Sequence, residues 1–442
     1  MSSNILWLLS DQHRADVMGC AGHPLVKTPH LDELAARGTR YDGAYCQGPL
    51  CMPSRASLLT GRYVRDHGVL NNKTTLPPMP TIVQSIRDAG YHTATIGKMH
   101  LYPHRDDVTD GLDIMRGYGF EYADEIGGKL ASRQVRSSYT DYLASRGLLG
   151  TYQRFIARSA NGVTAPMWTV RETPLPVDAY IDNWVADQAV RWIEQERDSR
   201  PFFLWVGFPG PHNPWDAPAE YVEPYEHAEI ELDSTRKPEL PPGGPLRQFL
   251  ERFLAYSSSD TVTDDRIREV RRRYFANVTL IDAGIGRIMA ALKRRGLDND
   301  TWVIYSTDHG EMLGTHSLFN KMVFYEPSVR VPLIVRPPGG TTAPAVEKGL
   351  VEHVDLAATL VEWAGAKQVP DAAGLTLGTR RDRVLSENFG FAMYRTDRWK
   401  LVTHEPSGLA VQLFDLEEDQ EEDRNVIADP AYSEVVQWLR NA

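Results

Sequence analysis

Short apolar runs recur along the chain, each closed by turn residues and followed by a stretch with helical spacing. Ile5 to Leu9, Thr93 to Ile96, Phe202 to Phe208, Trp302 to Tyr305 and Val331 to Val335 are nearly continuous in apolar character, as strands covered on both faces should be. Strands that alternate with helices build a mostly parallel sheet. One helix is well marked, from about Asp265 to Arg295. Tyr274, Val278, Ile281, Ile285, Ile288 and Leu292 recur at spacings of four and three on one face, and Gly296 stands where it should stop. It is expected to pack and to carry no chemistry.

From about residue 341 the texture changes. A helix near Val354 to Trp363 is followed by turns, by strands near Trp399 to Thr403 and Val411 to Phe414, and by the acidic run Leu416 to Asp423, expected as a solvated loop. The pattern predicts an α/β fold: a mostly parallel central sheet flanked by helices over 1–340, then a smaller α+β subdomain with an antiparallel sheet over 341–442. Arg105 to Arg171 is weakly patterned and is expected to be an insertion near the site.

With 442 residues, 42% of them hydrophobic, the chain can bury a large core. Its formal net charge of -11 argues against nucleic acid as a partner, so any anion must be drawn by a local basic cluster. Cys20, Cys46 and Cys51 are too few for a disulfide framework, which points to a reducing compartment. The opening MSSNILWLLSDQ lacks the features of a secretory signal, and no later apolar segment is expected to approach the length of a membrane span. These features predict a cytoplasmic protein with no membrane partner.

In an open parallel sheet, ligands bind beyond the carboxyl ends of the strands. Asp11 and Gln12, Lys98 and His100, His212 in GPHNP, and Asp308 and His309 in STDHGEM all follow expected strands. Asp11, Gln12, Asp308 and His309 offer two carboxylates, an amide oxygen and an imidazole, a suitable donor set for one divalent cation. Each alone has an ordinary explanation as a turn or cap residue; their convergence carries the assignment. Glu311 and His316 are candidates to join that set or to support it.

The stretch CMPSRASLLTGR starts a helix: Pro53 suits its first turn and Gly61 its end, so residue 51 sits by the N-terminus. Free N–H groups, the helix dipole and Arg55 would receive a tetrahedral oxyanion there. The same position depresses a thiol pKa, so a nucleophilic cysteine is one candidate and a buried structural cysteine another. The neighbouring Pro, Arg and metal-type donors exceed what packing requires. A cysteine hydrolase fits poorly, because it needs no metal and would want one oriented His.

CMPSRASLLTGR resembles the signature of the type I sulfatases, members of the alkaline-phosphatase superfamily, in which this cysteine is converted to formylglycine and its hydrated aldehyde is the nucleophile. NILWLLSDQ resembles the family's first metal-binding strand, TPHLDELAARG the helix after it, GKMHL its Lys-x-His element and PHNP its histidine loop. STDHGEMLG resembles the second metal-binding strand end, Lys321 the lysine after it, and HVDLAATLVEWAG, RWKLV and LFDLEEDQEEDRN the C-terminal portion. Only about Arg105 to Arg171 is left unplaced.

The resemblance implies a sulfuric ester hydrolase with Cys51, Arg55, Lys98, His100, His212 and Lys321 as catalytic residues. It implies one divalent metal ion, Ca2+ or Mn2+, on Asp11, Gln12, Cys51, Asp308 and His309. Its partners would be a small-molecule sulfate ester and a formylglycine-generating maturation enzyme. Lys98, His212 and Lys321 would clamp sulfate, His212 or Lys321 would protonate the departing alkoxide, and His100 would take the proton whose loss restores the aldehyde.

Many sulfatases carry paired aspartates and Asp-Asn where this chain has Asp11-Gln12 and Asp308-His309; the pairing here resembles the choline-sulfatase-like and phosphonate-monoester-hydrolase branches. The imidazole makes the donor set more hospitable to manganese. A phosphonate monoester or phosphodiester hydrolase is therefore the alternative. The Pro and Ser of CMPSR and the Lys-x-His of GKMHL, which that branch lacks, favour sulfate esters. A third possibility is an anion-binding protein whose Cys51 remains a thiol. The alcohol is expected to be chosen by loops such as Arg105 to Arg171 and Asp216 to Gly244, with Tyr102, His104 and Trp215 lining the pocket.

Overall fold

β1 (Asn4–Asp11) is buried along its whole length in a computed structural model of the chain, which describes residues 3–104, 107–159, 165–196 and 198–441. Ile5, Trp7 and Leu9 belong to one apolar cluster and Leu6 and Leu8 to another, so the strand separates two cores. It is joined by β2 (Thr39–Tyr45), β3 (His92–Gly97), β4 (Tyr122–Glu125), β5 (Phe202–Pro211), β6 (Thr301–Thr307), β7 (Leu333–Arg336) and β8 (Ala345–Glu352). The order is β4-β3-β5-β1-β6-β7-β2-β8. β7 runs antiparallel to β6 and β2, and the other pairings are parallel.

Among the helices that cover the sheet or frame the site are α1 (Cys51–Thr60), α2 (Ile181–Gln195), α3 (Gly244–Tyr256), α4 (Asp264–Arg294) and α5 (His353–Trp363). Leu58 and Leu59 of α1 and Leu356 and Leu360 of α5 cover the Trp7 face. Trp184 and Val185 of α2 and Ile281, Ile285 and Ile288 of α4 cover the Leu6 face. Each such burial contributes about 1.5–3 kcal/mol. Thr263 caps α4 by accepting from Arg266 N, and Lys293 and Arg294 complement the dipole at its end. Contrary to the expectation for every segment, α4 is long and apolar enough in part to cross a membrane; here its apolar face is packed on the sheet.

β9 (Val384–Asn388), β10 (Phe391–Arg395), β11 (Trp399–His404) and β12 (Leu409–Asp415) form a separate antiparallel sheet of order β12-β11-β10-β9. The residues after 341 are thus divided, with β8 and α5 built into the large sheet and its cover, and the small sheet beginning at Val384. The acidic run is not wholly solvated. Glu422 is buried, accepts from Lys400 Nζ at 2.6 Å and from Glu326 N at 2.7 Å, and so ties the small sheet to the large domain.

Candidate active site

The chain enters α1 through Leu50 in extended geometry, which makes Cys51 the first helical residue; Gly61, at φ 69, ends the helix. All ten residues of α1 are buried, Cys51 included. The Ser54 hydroxyl donates to the Asp308 carbonyl, pinning the first turn to the end of β6. Met52 N, one of the free donors of that turn, is taken by Asn72 Oδ1 at 3.0 Å.

Across from the sulfur, β1 and β6 end side by side. A carboxylate oxygen of Asp11, one of Asp308, His309 Nε2 and Cys51 Sγ all lie within 4.8 Å of one another. Cys51 Sγ is 3.2 Å from His309 Nε2 and 4.0 Å from Asp11 Oδ1. His309 Nδ1 faces the Gly310 carbonyl at 3.0 Å and must donate to it, which turns Nε2 into the cluster, where it offers a lone pair whenever the ring is neutral. Arg55 is fully buried between the carboxylates, with Nε 2.8 Å from Asp308 Oδ2 and Nη2 3.1 Å from Asp11 Oδ2. Its Nη1 donates to the Lys98 carbonyl at 2.6 Å, joining this cluster to the end of β3.

Gln12 lies beside the four-atom cluster. It is a non-glycine residue at φ 75, with N donating to Asp308 Oδ1 at 3.0 Å and its carbonyl accepting from Tyr274 Oη at 2.6 Å. Its amide oxygen accepts from Lys321 Nζ and its amide nitrogen donates to Glu311. Glu311 also accepts from Leu313 N and Asn320 N, so it fixes Gln12 and the loop that brings Lys321 in. His316 is elsewhere: its Nδ1 bonds the Arg236 carbonyl, away from the donor cluster.

Lys98 Nζ is 2.5 Å from Asp11 Oδ2, and the buried imidazoles of His100 and His212 both feel the Cys51 side chain. Burial pushes both imidazoles down to about 4, Lys321 adding to the effect on His212; a sulfate anion bound beside His212 would act in the opposite direction. Burial and the Cys51 sulfur push Asp11 up, but Lys98, His212 and Arg55 outweigh them and hold its carboxyl well below the usual range. Asp308 is raised by burial and then by Asp11. Burial would raise the Cys51 thiol; Lys321, His309 and Lys98 overcome it and hold the thiol well below its ordinary value. The arrangement is an activated residue 51 opposite two carboxylates and ringed by cations, suited to a tetrahedral oxyanion.

The structure brings together Asp11, Gln12, Cys51, Arg55, Lys98, His100, His212, Asp308, His309 and Lys321, as expected of groups delivered by strand ends to one sheet edge. Trp215 is a correction: it is fully buried, donates to the Met167 carbonyl and packs on Tyr274, a core residue and not a pocket lining. Two participants escape the sequence. Asn72 lies in a turn-like run with no signal of its direction. Glu125, at the carboxyl end of β4, accepts from His100 N at 3.1 Å, Tyr102 Oη at 2.6 Å and His104 Nε2 at 2.9 Å. The rule that exposed the other residues would have found it had β4 been legible; Arg105, where the weakly patterned segment opens, lies outside the described residues.

Residues 3–366 match the family described as Sulfatase, and residues 314–442 match "N-sulphoglucosamine sulphohydrolase, C-terminal". An arylsulfatase of Clostridium perfringens is 30% identical over 465 aligned positions, covering 100% of this chain and 93% of the relative. The phosphonate monoester hydrolase of Agrobacterium radiobacter shares the fold with a TM-score of 0.79 at 24% identity, covering 99% of this chain and 95% of that one. A structure solved with its substrate D-glucosamine-2-N,6-O-disulfate shares it at 0.76 and 20%, covering 100% and 96%.

Proposed function

The chain belongs to the sulfatase family and hydrolyses sulfate esters, and on that premise we propose that its nucleophile is a formylglycine made from Cys51 beside one divalent metal ion. The observation that carries this is the buried cluster of Asp11, Cys51, Asp308 and His309 with Arg55, Lys98, His100, His212 and Lys321 around it. Two facing carboxylates and an inward imidazole nitrogen fit a divalent cation, with Gln12 adjacent to complete the set. Mn2+ suits that mixture of oxygen and nitrogen better than Ca2+. When bound, the metal supplies Lewis-acid polarisation of a sulfate oxygen.

A hydrated aldehyde at residue 51 has two hydroxyls on one carbon, one to attack sulfur and one whose deprotonation expels sulfate; a serine or cysteine ester would need water. Arg55 aligns Asp11 and Asp308 and favours their ionised forms. Lys98, His212 and Lys321 hold the sulfate oxygens, His212 or Lys321 gives the alkoxide its proton, and His100, neutral and directed at residue 51, takes the proton from the second hydroxyl. A maturation enzyme is the partner this chemistry requires.

Phosphonate monoester hydrolysis is the second reading, on a shared scaffold. Lys98 on Asp11 and His100 beside residue 51 favour the first. The test is kcat/KM of matured protein on 4-nitrophenyl sulfate against a 4-nitrophenyl phosphonate monoester and phosphodiester. The sulfate should be turned over most efficiently; a phosphonate or diester that exceeds it overturns the assignment.

A further inference from the structure

α3 carries Phe249, Phe253 and Tyr256 at spacings of four and three, hence on one face. Phe249 and Phe253 have ring centroids 6.2 Å apart and planes 2° apart, and Tyr256 continues the row 6.2 Å from Phe253. At its inner end Tyr256 is followed by Ser257, whose hydroxyl donates to the carbonyl of Phe319, two residues before Lys321, at 3.1 Å. At its outer end Phe249 meets Phe391 at 5.4 Å and Phe389 at 6.2 Å. An aromatic row therefore runs from the loop that carries Lys321 to a surface groove of about 470 Å³ whose wall is mostly apolar, with Val64, Leu70, Phe389 and Phe391, and also holds Arg65, Glu387 and Glu405.

Both walls of the groove are tied to catalytic residues. Asn388 Nδ2 donates to the carbonyl of Met322, next to Lys321, at 2.8 Å. The loop carrying Leu70 reaches Met52 N, next to Cys51, through Asn72. The groove is mostly apolar and open to solvent, with Leu70 55% and Phe389 48% exposed. Phe389 and Gly390 form a two-residue turn in which both φ are positive, 48 and 79. Such turns favour Asn-Gly, and a bulky residue with positive φ is an outlier, so the backbone does not explain the aromatic side chain. Arg65, the cation in the lining, is paired with Glu387 and lies 3.9 Å from Glu405, so the protein's own carboxylates already engage it.

We propose that this groove binds the alcohol portion of the substrate and that the substrate is a sulfate ester of an apolar alcohol, aliphatic or aromatic, not a charged sugar. The proposal rests on the sulfate-ester reading of the site. A mostly aromatic and aliphatic lining whose one cation is already engaged by the lining carboxylates Glu387 and Glu405 gains from burying hydrocarbon and offers little to a second sulfate or carboxylate.

Matured protein should be assayed on linear alkyl sulfates from ethyl to hexyl, whose leaving alkoxides are similarly basic, so that chain length changes contact and not chemistry. kcat/KM should rise about threefold per methylene until the groove is filled. Phe389→Gly, which keeps the turn conformation, and Leu70→Ser, at an exposed position, should each lower the hexyl-to-ethyl ratio by about fivefold or more. A flat series, or glucose 6-sulfate turned over better than hexyl sulfate, overturns the proposal. So does choline sulfate exceeding its neutral isostere 3,3-dimethylbutyl sulfate, which would mark a quaternary-ammonium pocket. Failure of every ester with protein carrying the aldehyde would overturn the sulfate-ester reading itself.

Discussion

The sulfate end of the site and the groove beside it are built from opposite materials. At the sheet edge Asp11, Arg55, Asp308 and His309 are fully buried, and Arg55 ion-pairs with both carboxylates. In the groove, exposed hydrocarbon stands on a loop and a hairpin turn. Charge held in a dry, fixed array stabilises charge that develops during reaction, because it needs no reorganisation. Hydrocarbon on loops supplies contact that changes with the substrate at little cost to the fold. The chemistry is set by the sheet and the choice of alcohol by what surrounds it.

That division fails first, if it fails, at residue 51. Cys51→Ala should lower kcat on any sulfate ester by about 10⁴-fold or more, since a nucleophile acts as a unit with its partners. Steady-state rates on ethyl and hexyl sulfate should fall equally; loss confined to one would place residue 51 in recognition. Chelation followed by buffer exchange should cost about 10³-fold, with Mn2+ restoring more activity than Ca2+ at equal concentration. Full activity after removal, checked by elemental analysis, would dismiss the metal.

The proton donor sharpens the comparison further. Whichever of Lys321→Ala and His212→Ala removes the acid should cost about 10²-fold more on an alkyl sulfate than on 4-nitrophenyl sulfate, whose leaving group needs no proton. The other variant should lower both rates alike. A smaller effect concerns His67, which joins the two regions: Nε2 bonds Ser57 Oγ of α1 at 3.0 Å and Nδ1 accepts from Val69 N at the start of the groove loop. Burial pushes its pKa from 6.5 down to about 4. Between those values the unfolded chain binds the extra proton, so stability falls as pH drops through that window. His67→Asn should reduce that slope by up to about 1.4 kcal/mol per pH unit, read from urea denaturation at pH 5 and 6.5; an unchanged slope would show that His67 is protonated in the fold.

How much of the molecule the sequence discloses tracks the same division. β1, β3, β5 and β6 are legible because both faces are buried and their apolar runs are continuous, and the residues after them are the charged array. β2 and β4 are not, because partial exposure mixes polar residues into them, and Glu125 is lost with β4. β7 starts at Leu333, two residues later than the apolar run from Val331, with Pro332 between them. The groove is invisible in sequence: Leu70, Phe249 and Phe389 lie far apart, and exposed apolar residues in loops carry no period. Gln12 is identifiable as a donor, but its bond to Lys321 needs three dimensions.

The central claim is most directly tested by the mass of the proteolytic peptide containing residue 51, from protein made beside a maturation enzyme and shown to release sulfate from an ester. A formylglycine nucleophile predicts a peptide lighter by the conversion of thiol to aldehyde, in proportion to the activity of the preparation. An unmodified cysteine in protein that turns over sulfate esters at full rate would contradict it.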